Sequence, residues 1–245
     1  MLVDAHVHIG KSARLQIDVD GEFLIRTADE LGFDKICVTD LTALFYDMHE
    51  GNYLLSREMK KFPDRILGYA TLTSTRFGRA ALDELDRCRH DYGMTGLKIY
   101  STPDLSIAEP AMIPILEKCV ELGFPILGHT TPQECEYLLS AVPEARIMMA
   151  HSGGQPFAKG DWNRAIMAAQ KCPNLYLETA SSTIDTDFLG QAVAALGAGR
   201  IVFGTDTPLL DPYTQIAKLR SSGLPPAALD QIMGTNILRL MGLAQ

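Results

Sequence analysis

No apolar run in this sequence reaches the ~18 residues that a helix needs to cross a bilayer, so no membrane partner is expected. The opening stretch, Met1-Leu2-Val3-Asp4-Ala5-His6, has neither the basic start nor the apolar middle of a signal peptide. Cys-x-x-Cys pairs are missing. The five cysteines (Cys37, Cys88, Cys119, Cys135 and Cys172) are odd in number and scattered, which argues against a disulfide framework and against a cysteine-held structural zinc. They read as reduced thiols on buried faces of a cytoplasmic protein. Clusters of Lys and Arg are lacking too. With a formal net charge of -8 and both signs mixed along the chain, nucleic acid is excluded as a partner. No linker, low-complexity stretch or second apolar core divides the sequence. What is present, 47% hydrophobic and 21% charged residues, is enough to bury a sizeable core. The expected partner is a small-molecule substrate, with a homo-oligomer left open.

Short β-branched runs recur, each closed by polar or glycine residues and followed by a segment of helical period. They are Leu2–Val7, Lys35–Thr39, Ile66–Leu72, Gly96–Tyr100, Pro125–Leu127, Arg146–Ala150, Leu175–Leu177 and Ile201–Phe203. Their C-terminal ends fall near His8, Asp40, Thr73, Tyr100, His129, His151, Thr179 and Asp206, steps that average about 28 residues, the size of a strand-plus-helix unit. The intervening segments carry one apolar stripe each: Leu82, Leu85, Cys88 and Tyr92 in one, Met112, Ile115, Leu116, Cys119 and Val120 in another. Nearly all-apolar strands beside one-striped helices predict a parallel sheet covered by helices. Eight such units predict a single α/β domain over residues 1–245, a (β/α)8 TIM barrel. An open doubly wound sheet would need a glycine-rich turn after its first strand. That position holds His6-Val7-His8-Ile9-Gly10 instead.

Chemistry-bearing residues gather at the strand ends, where barrel active sites lie. His6 and His8 are two apart on one strand and so face the same side. Two neutral imidazoles together suit a divalent cation, or they are strand histidines satisfied by backbone groups. Lys98 sits inside an apolar strand, where a charge is costly unless paired or neutralised. His129, His151 and Asp206 close the fifth, sixth and eighth strands. Singly these are loop anchors or a helix cap as readily as ligands; six at one rim predict a metal site.

The order His-x-His, Lys, His, His, Asp on strands one, four, five, six and eight resembles the amidohydrolase superfamily. The compact amidohydrolase-2 branch, with its lactonases and non-oxidative decarboxylases, is the most similar. The resemblance runs from Val3-Asp4-Ala5-His6-Val7-His8, through Phe203-Gly204-Thr205-Asp206-Thr207-Pro208, to Gly234-Thr235-Asn236-Ile237-Leu238-Arg239-Leu240. It implies one metal on His6, His8 and Asp206 and a second on His129 and His151, with a carboxylated Lys98 bridging them. Zinc comes first, with manganese, iron or cobalt as alternatives. Asp206 would then act as general base on a metal-bound water, and the second metal, or His151 if there is one metal, would polarise the substrate carbonyl. In decarboxylase-like members one metal sits on the His-x-His pair, the fifth-strand His and the final Asp, leaving His151 for catalysis and Lys98 as a cationic substrate contact. The first expectation is hydrolysis of a carboxylic ester, lactone or amide. The alternatives are non-oxidative decarboxylation and a non-catalytic metal-binding barrel.

Other residues carry two readings each. Asp4 shares a face with His6 and either orients an imidazole or is a structural acid. Asp40 and Glu178 contact substrate or cap helices. Tyr100, Gly153 and Gly154 line the expected mouth. His49 is a lid or solvated loop residue, His90 is surface, and Trp162 covers the pocket or packs a helix start.

Overall fold

The computed structural model describes residues 1–73, 78–101, 106–153, 162–181 and 186–243. Its strands are β1 (Val3–Ser12), β2 (Ile17–Val19), β3 (Lys35–Asp40), β4 (Ile66–Thr71), β5 (Gly96–Tyr100), β6 (Ile126–His129), β7 (Ile147–Met149), β8 (Leu175–Glu178) and β9 (Ile201–Val202). Between them run α1 (Gly21–Leu31), α2 (Leu41–Phe45), α3 (Met48–Lys61), α4 (Arg79–His90), α5 (Ile113–Leu122), α6 (Pro132–Ala141), α7 (Trp162–Lys171) and α8 (Thr186–Leu196). Three helices follow the last strand: α9 (Pro212–Arg220), α10 (Pro226–Asp230) and α11 (Asn236–Leu240). From β1 and β3 through β9 each strand pairs in parallel with the next. The sheet then returns to its start. Ala5 N donates to Phe203 O (3.0 Å), Asp206 N to His6 O (2.7 Å) and His8 N to Thr207 O (2.7 Å), with Val7 bridging Thr207 in parallel. The expected (β/α)8 barrel is therefore the one observed.

The first strand departs from expectation twice. It runs to Ser12 rather than ending near His8, because Gly10, Lys11 and Ser12 pair antiparallel with Val19, Asp18 and Ile17. Ser12 Oγ accepts from Leu15 N (3.3 Å) and closes the hairpin tip. The second departure is a bulge: Asp4 pairs with Ile36 but Val7 with Val38, so three steps on β1 match two on β3. Side-chain alternation breaks there. Val3 and Ala5 join the interior cluster, while Val7 and Ile9 pack into the outer layer. His6 and His8 then face inward and Asp4 outward among Val7, Leu24 and Phe33. The expectation that Asp4 shares a face with His6 is thus corrected.

Two cores follow from the alternation. Ile36, Val38, Ile66, Leu97, Ile99, Ile126 and Ile147 meet the apolar stripes of the helices, as with Leu85 and Cys88 on α4 and Ile115 and Cys119 on α5. Inside the barrel, Val3, Cys37, Tyr69, Leu127, Met148 and Val202 fill the lower half, plugged from below by Ile237 and Leu240 of α11 and by Met241 just after it. Tyr69 Oη donates to Ala5 O (3.0 Å), satisfying the one polar atom of that floor's largest ring. The filled floor confines any open space to the C-terminal mouth.

Helix ends are set by local chemistry. Asp20 caps α1 through Phe23 N (2.8 Å), and Gly32 ends it in the left-handed region. Asp40 caps α2, accepting from Thr42 N (2.7 Å) and Ala43 N (3.1 Å). Of its two readings, the cap is the one the contacts carry. α2 presents Leu41, Leu44 and Phe45 toward the barrel mouth and is held there by α3, whose Gly51 approaches its backbone. A Cβ at Gly51 would lie 2.1 Å from Ala43 N and 2.6 Å from Ala43 Cα. Gly51→Ala is therefore expected to cost ~1–3 kcal/mol through a forced backbone shift, read from the denaturant midpoint. Unchanged stability would show that the two helices are not packed backbone to backbone.

Candidate active site

All six residues expected at the site line one cavity of about 140 Å³ at the C-terminal mouth. Its floor is polar and buried. Its walls are Leu41, Leu44, Phe45, Tyr100 and Leu209, with Arg14 and Leu15 from the β1–β2 hairpin at the entrance.

The inward pair of β1 and the end of the last strand meet at the floor. His8 Nε2 lies 2.9 Å and His6 Nε2 3.3 Å from Asp206 Oδ1, and the two Nε2 atoms are 3.2 Å apart. Two imidazole nitrogens and a carboxylate oxygen thus converge on one point. Asp206 Oδ1, though buried, has no aligned hydrogen-bond donor. A divalent cation is the group that satisfies such a set at once, with imidazole and carboxylate donors of the kinds such ions bind. The backbone is bent to build it: Asp206 has φ 60°, a left-handed conformation unusual outside glycine.

His6 is fixed from behind. Its Nδ1 lies 3.2 Å from Glu178 Oε2, so the proton belongs on Nδ1 and the lone pair on Nε2. Lys98 Nζ lies 2.9 Å from His6 Nε2. His151 stands on a turn in which it and Ser152 have φ 57° and 47°. Its N donates to Glu178 Oε2 (2.9 Å) and its Nδ1 to Ala180 O (2.6 Å), which leaves Nε2 as the free ring nitrogen. The His151 ring is 5.2 Å from that of His6, centroid to centroid, and 5.1 Å from that of His129. His129 stacks on Tyr100 at 4.4 Å, and its carbonyl accepts from both N and Oγ of Ser101 (2.9 Å each).

Among the described residues, two groups offer ligand atoms all within 4.8 Å of one another: His6, His8 and Asp206, and His6, His151 and Glu178. The second shares His6, and its Glu178 is already engaged by backbone N–H groups. His129 belongs to neither group.

Burial dominates the electrostatics. It pushes the imidazoles of His6 and His129 well below their ordinary value, reinforced by Lys98 and the neighbouring histidines. It lowers those of His8 and His151 too, against the opposing pull of Asp206. The imidazoles are therefore neutral, the form that coordinates. Burial brings Lys98 down to about 8, with Asp206 and Glu178 opposing. At Asp206 burial pushes upward, but His8, His151 and Lys98 win and hold the carboxyl below its usual range. Burial raises Glu178 to about 8 against the donors from His151 and Ala180.

The remaining candidates resolve without joining the floor. Asp4 ties strand to strand, accepting from His6 N (3.1 Å), Thr205 N (2.9 Å) and Thr205 Oγ1 (2.5 Å). His49 lies on α3 with Nδ1 2.5 Å from the buried Glu84, so it braces helices. His90 is exposed, and Trp162 packs edge-on against Phe188 at 4.5 Å. Tyr100 is a wall; Gly153 ends the left-handed turn at φ 67° and is not one. Gly154 lies outside the described residues. Sequence reasoning missed Arg14, whose guanidinium sits 5.7 Å from the Phe45 ring centre. The signal was the alternation of Gly10–Ser12 against Ile17–Val19, which marks a hairpin and puts its tip over the mouth.

A family model described as "Amidohydrolase" matches residues 3–243. No curated protein matches by sequence. Solved structures do match. A dihydroxybenzoic acid decarboxylase from Polaromonas sp. JS666, with bound manganese and 2-nitroresorcinol, has TM-score 0.79 and 17% identity, covering 99% of this chain and 97% of its own. A 4-oxalomesaconate hydratase from Rhodopseudomonas palustris has TM-score 0.75 and 18% identity over 99% and 96%. A probable 2-pyrone-4,6-dicarboxylic acid hydrolase from Acinetobacter baumannii, with citric acid bound, has TM-score 0.74 and 16% identity over 98% and 99%. At such identities the likeness is one of fold, and that fold carries three reaction names. His8→Ala should weaken Mn²⁺ or Zn²⁺ binding beyond the roughly 10–100-fold that losing a ligand's supporting partner costs. Titration calorimetry reads this, and unchanged affinity would remove His8 from the ligand set.

Proposed function

Since the chain belongs to the amidohydrolase family, we propose that it is a one-metal enzyme that decarboxylates a small unsaturated or aromatic carboxylic acid. The observation that carries this reading is the composition of the cavity. The ligand set of His6, His8 and Asp206 lies at its floor, two cations, Lys98 and Arg14, face the same space, and the walls are leucine or aromatic. Cations with flat apolar walls suit an anionic, planar substrate better than a polar amide. The named substrates of all three structural relatives are carboxylated molecules as well.

His6, His8 and Asp206 would hold the ion, with His129 a further imidazole lining the same cavity. When bound, the ion supplies Lewis-acid attraction for the substrate's oxygens. Lys98 adds a buried positive charge beside them, in place of the carboxylated bridge of a two-metal site. In the reaction the bond from ring carbon to carboxyl breaks, carbon dioxide leaves, its electron pair stays on the carbon and a proton takes its place. Asp206 and His151 Nε2 are the carriers that face the cavity. The apolar walls favour the step, because charge concentrated on a carboxylate is dispersed as carbon dioxide departs.

A second reading, hydrolysis of a lactone, has one specific observation behind it. Asp206 is ionised and His151 neutral, so both proton carriers are bases, the form needed to deprotonate water. Isotopes separate the two. With the Mn²⁺-loaded enzyme and a panel of carboxylated aromatics and lactones, decarboxylation releases carbon dioxide and puts one deuterium from D₂O on carbon. Hydrolysis instead puts ¹⁸O from labelled water into the product without releasing carbon dioxide, and that result would overturn the proposal.

Two substitutions test the roles. Asp206→Asn keeps a coordinating oxygen but removes the proton carrier, so turnover should fall by on the order of 10²–10⁴ with metal retained. Lys98→Ala should keep one ion per chain and raise KM. Binding of two ions by the wild-type protein in bicarbonate, with both lost in Lys98→Ala, would restore the bridged two-metal site.

A further inference from the structure

Glu178 is fully buried at the end of β8 and is not among the cavity walls, so substrate does not reach it. Yet its two carboxylate oxygens meet three donors from three parts of the chain. Oε2 accepts from His151 N (2.9 Å) and faces His6 Nδ1 (3.2 Å); Oε1 accepts from Ala180 N (2.6 Å). Its backbone carbonyl accepts from Ser152 Oγ (2.8 Å). One residue therefore grips the ring of His6 and, from two sides, the left-handed turn that carries His151.

Room for that grip is provided at one place. A Cβ on Gly204 would lie 2.4 Å from Glu178 Oε1 and 2.7 Å from His6 Cβ. Gly204 is not in the left-handed region, so its backbone conformation does not call for glycine. The missing side chain is there for space alone.

We propose that Glu178 is the positioning residue that fixes His6 and His151 with their Nε2 lone pairs toward the cavity, and that Gly204 is the gap that admits it. An imidazole held by a carboxylate behind it keeps one tautomer and binds metal more strongly. The same oxygen sets the distance between the ligand His6 and the proton carrier His151, so ligand and carrier are placed as one unit. Glutamine, nearly the same shape, does not replace it. Both oxygens face N–H donors, and an amide NH₂ at either end sets donor against donor.

The inference rests on the metal centre and not on which reaction that centre performs. Mn²⁺ titrated into chelator-treated protein should bind Glu178→Gln and Gly204→Ala about 10–100-fold more weakly than wild type. Nitrogen-15 spectra of the histidine rings should show His6 protonated at Nδ1 in the wild type and redistributed toward Nε2 in Glu178→Gln. Glu84→Gln is the control. Glu84 is as buried but braces His49, Asn52 and Arg87 on the outer helices, so its loss should lower thermal stability and leave Mn²⁺ affinity alone. Wild-type affinity in both site variants would overturn the proposal, as would weakened binding with His6 still protonated at Nδ1. If the wild-type protein bound no Mn²⁺, the metal centre itself would fall, and the ring spectra would still decide the role of Glu178.

Discussion

The site depends on one seam. β1 and the segment after β9 are joined by Ala5 N to Phe203 O, Asp206 N to His6 O and His8 N to Thr207 O. This seam closes the barrel, and it also sets Asp206 against the two imidazoles of β1. A slip of two residues along it would move Asp206 by roughly 6–7 Å, since a strand advances about 3.3 Å per residue. The 2.9 Å approach of His8 Nε2 to Asp206 Oδ1 would then be lost. Asp4 locks the register from outside the barrel, where its carboxylate takes the N–H and hydroxyl of Thr205 and the N–H of His6. Fold closure and ligand assembly are thus one event.

The bulge in β1 gives the seam its chemistry. Without the extra residue between Asp4 and Val7, strict alternation would put Val3, Ala5 and Val7 inside and both histidines against α1. With it, the lower half of the strand packs apolar side chains inward and the upper half points imidazoles inward. One strand thereby serves the filled floor and the reactive mouth above it.

Eight apolar runs at a regular step make the barrel legible in the sequence, because a parallel strand buried on both faces must be apolar throughout. The six polar residues at the strand ends were readable for the converse reason: each is expensive at such a position without a use. What was not readable depends on contacts between distant segments. The bulge leaves no mark in composition, so Asp4 was placed on the wrong face. Glu178 looked like a helix cap or a substrate contact, because nothing near it in the chain shows that His6 and the His151 turn arrive from 172 and 27 residues away. Arg14 stands on a hairpin whose pattern is local, but that its tip folds over the mouth depends on the closed barrel. Gly204 carried no signal beyond its own glycine, which is common at a strand end.

Burial ties these observations together. Removing the floor from water keeps four histidines neutral, brings Lys98 down to about 8 and makes each unpaired carboxylate costly. Each group left alone would destabilise the fold. Together they form a graded set. Glu178 accepts from backbone N–H donors and faces the ring of His6, Asp206 is held below its usual range by His8, His151 and Lys98, and each imidazole keeps a lone pair because no second proton is stable on it. The Nε2 atoms of His6 and His8 and Oδ1 of Asp206 lie 2.9–3.3 Å apart, an arrangement that a positive centre among them would stabilise. The desolvation that makes these residues poor hydrogen-bond partners for one another is what makes them good ligands, and the strain at His151 and Asp206 is confined to the two turns that aim them.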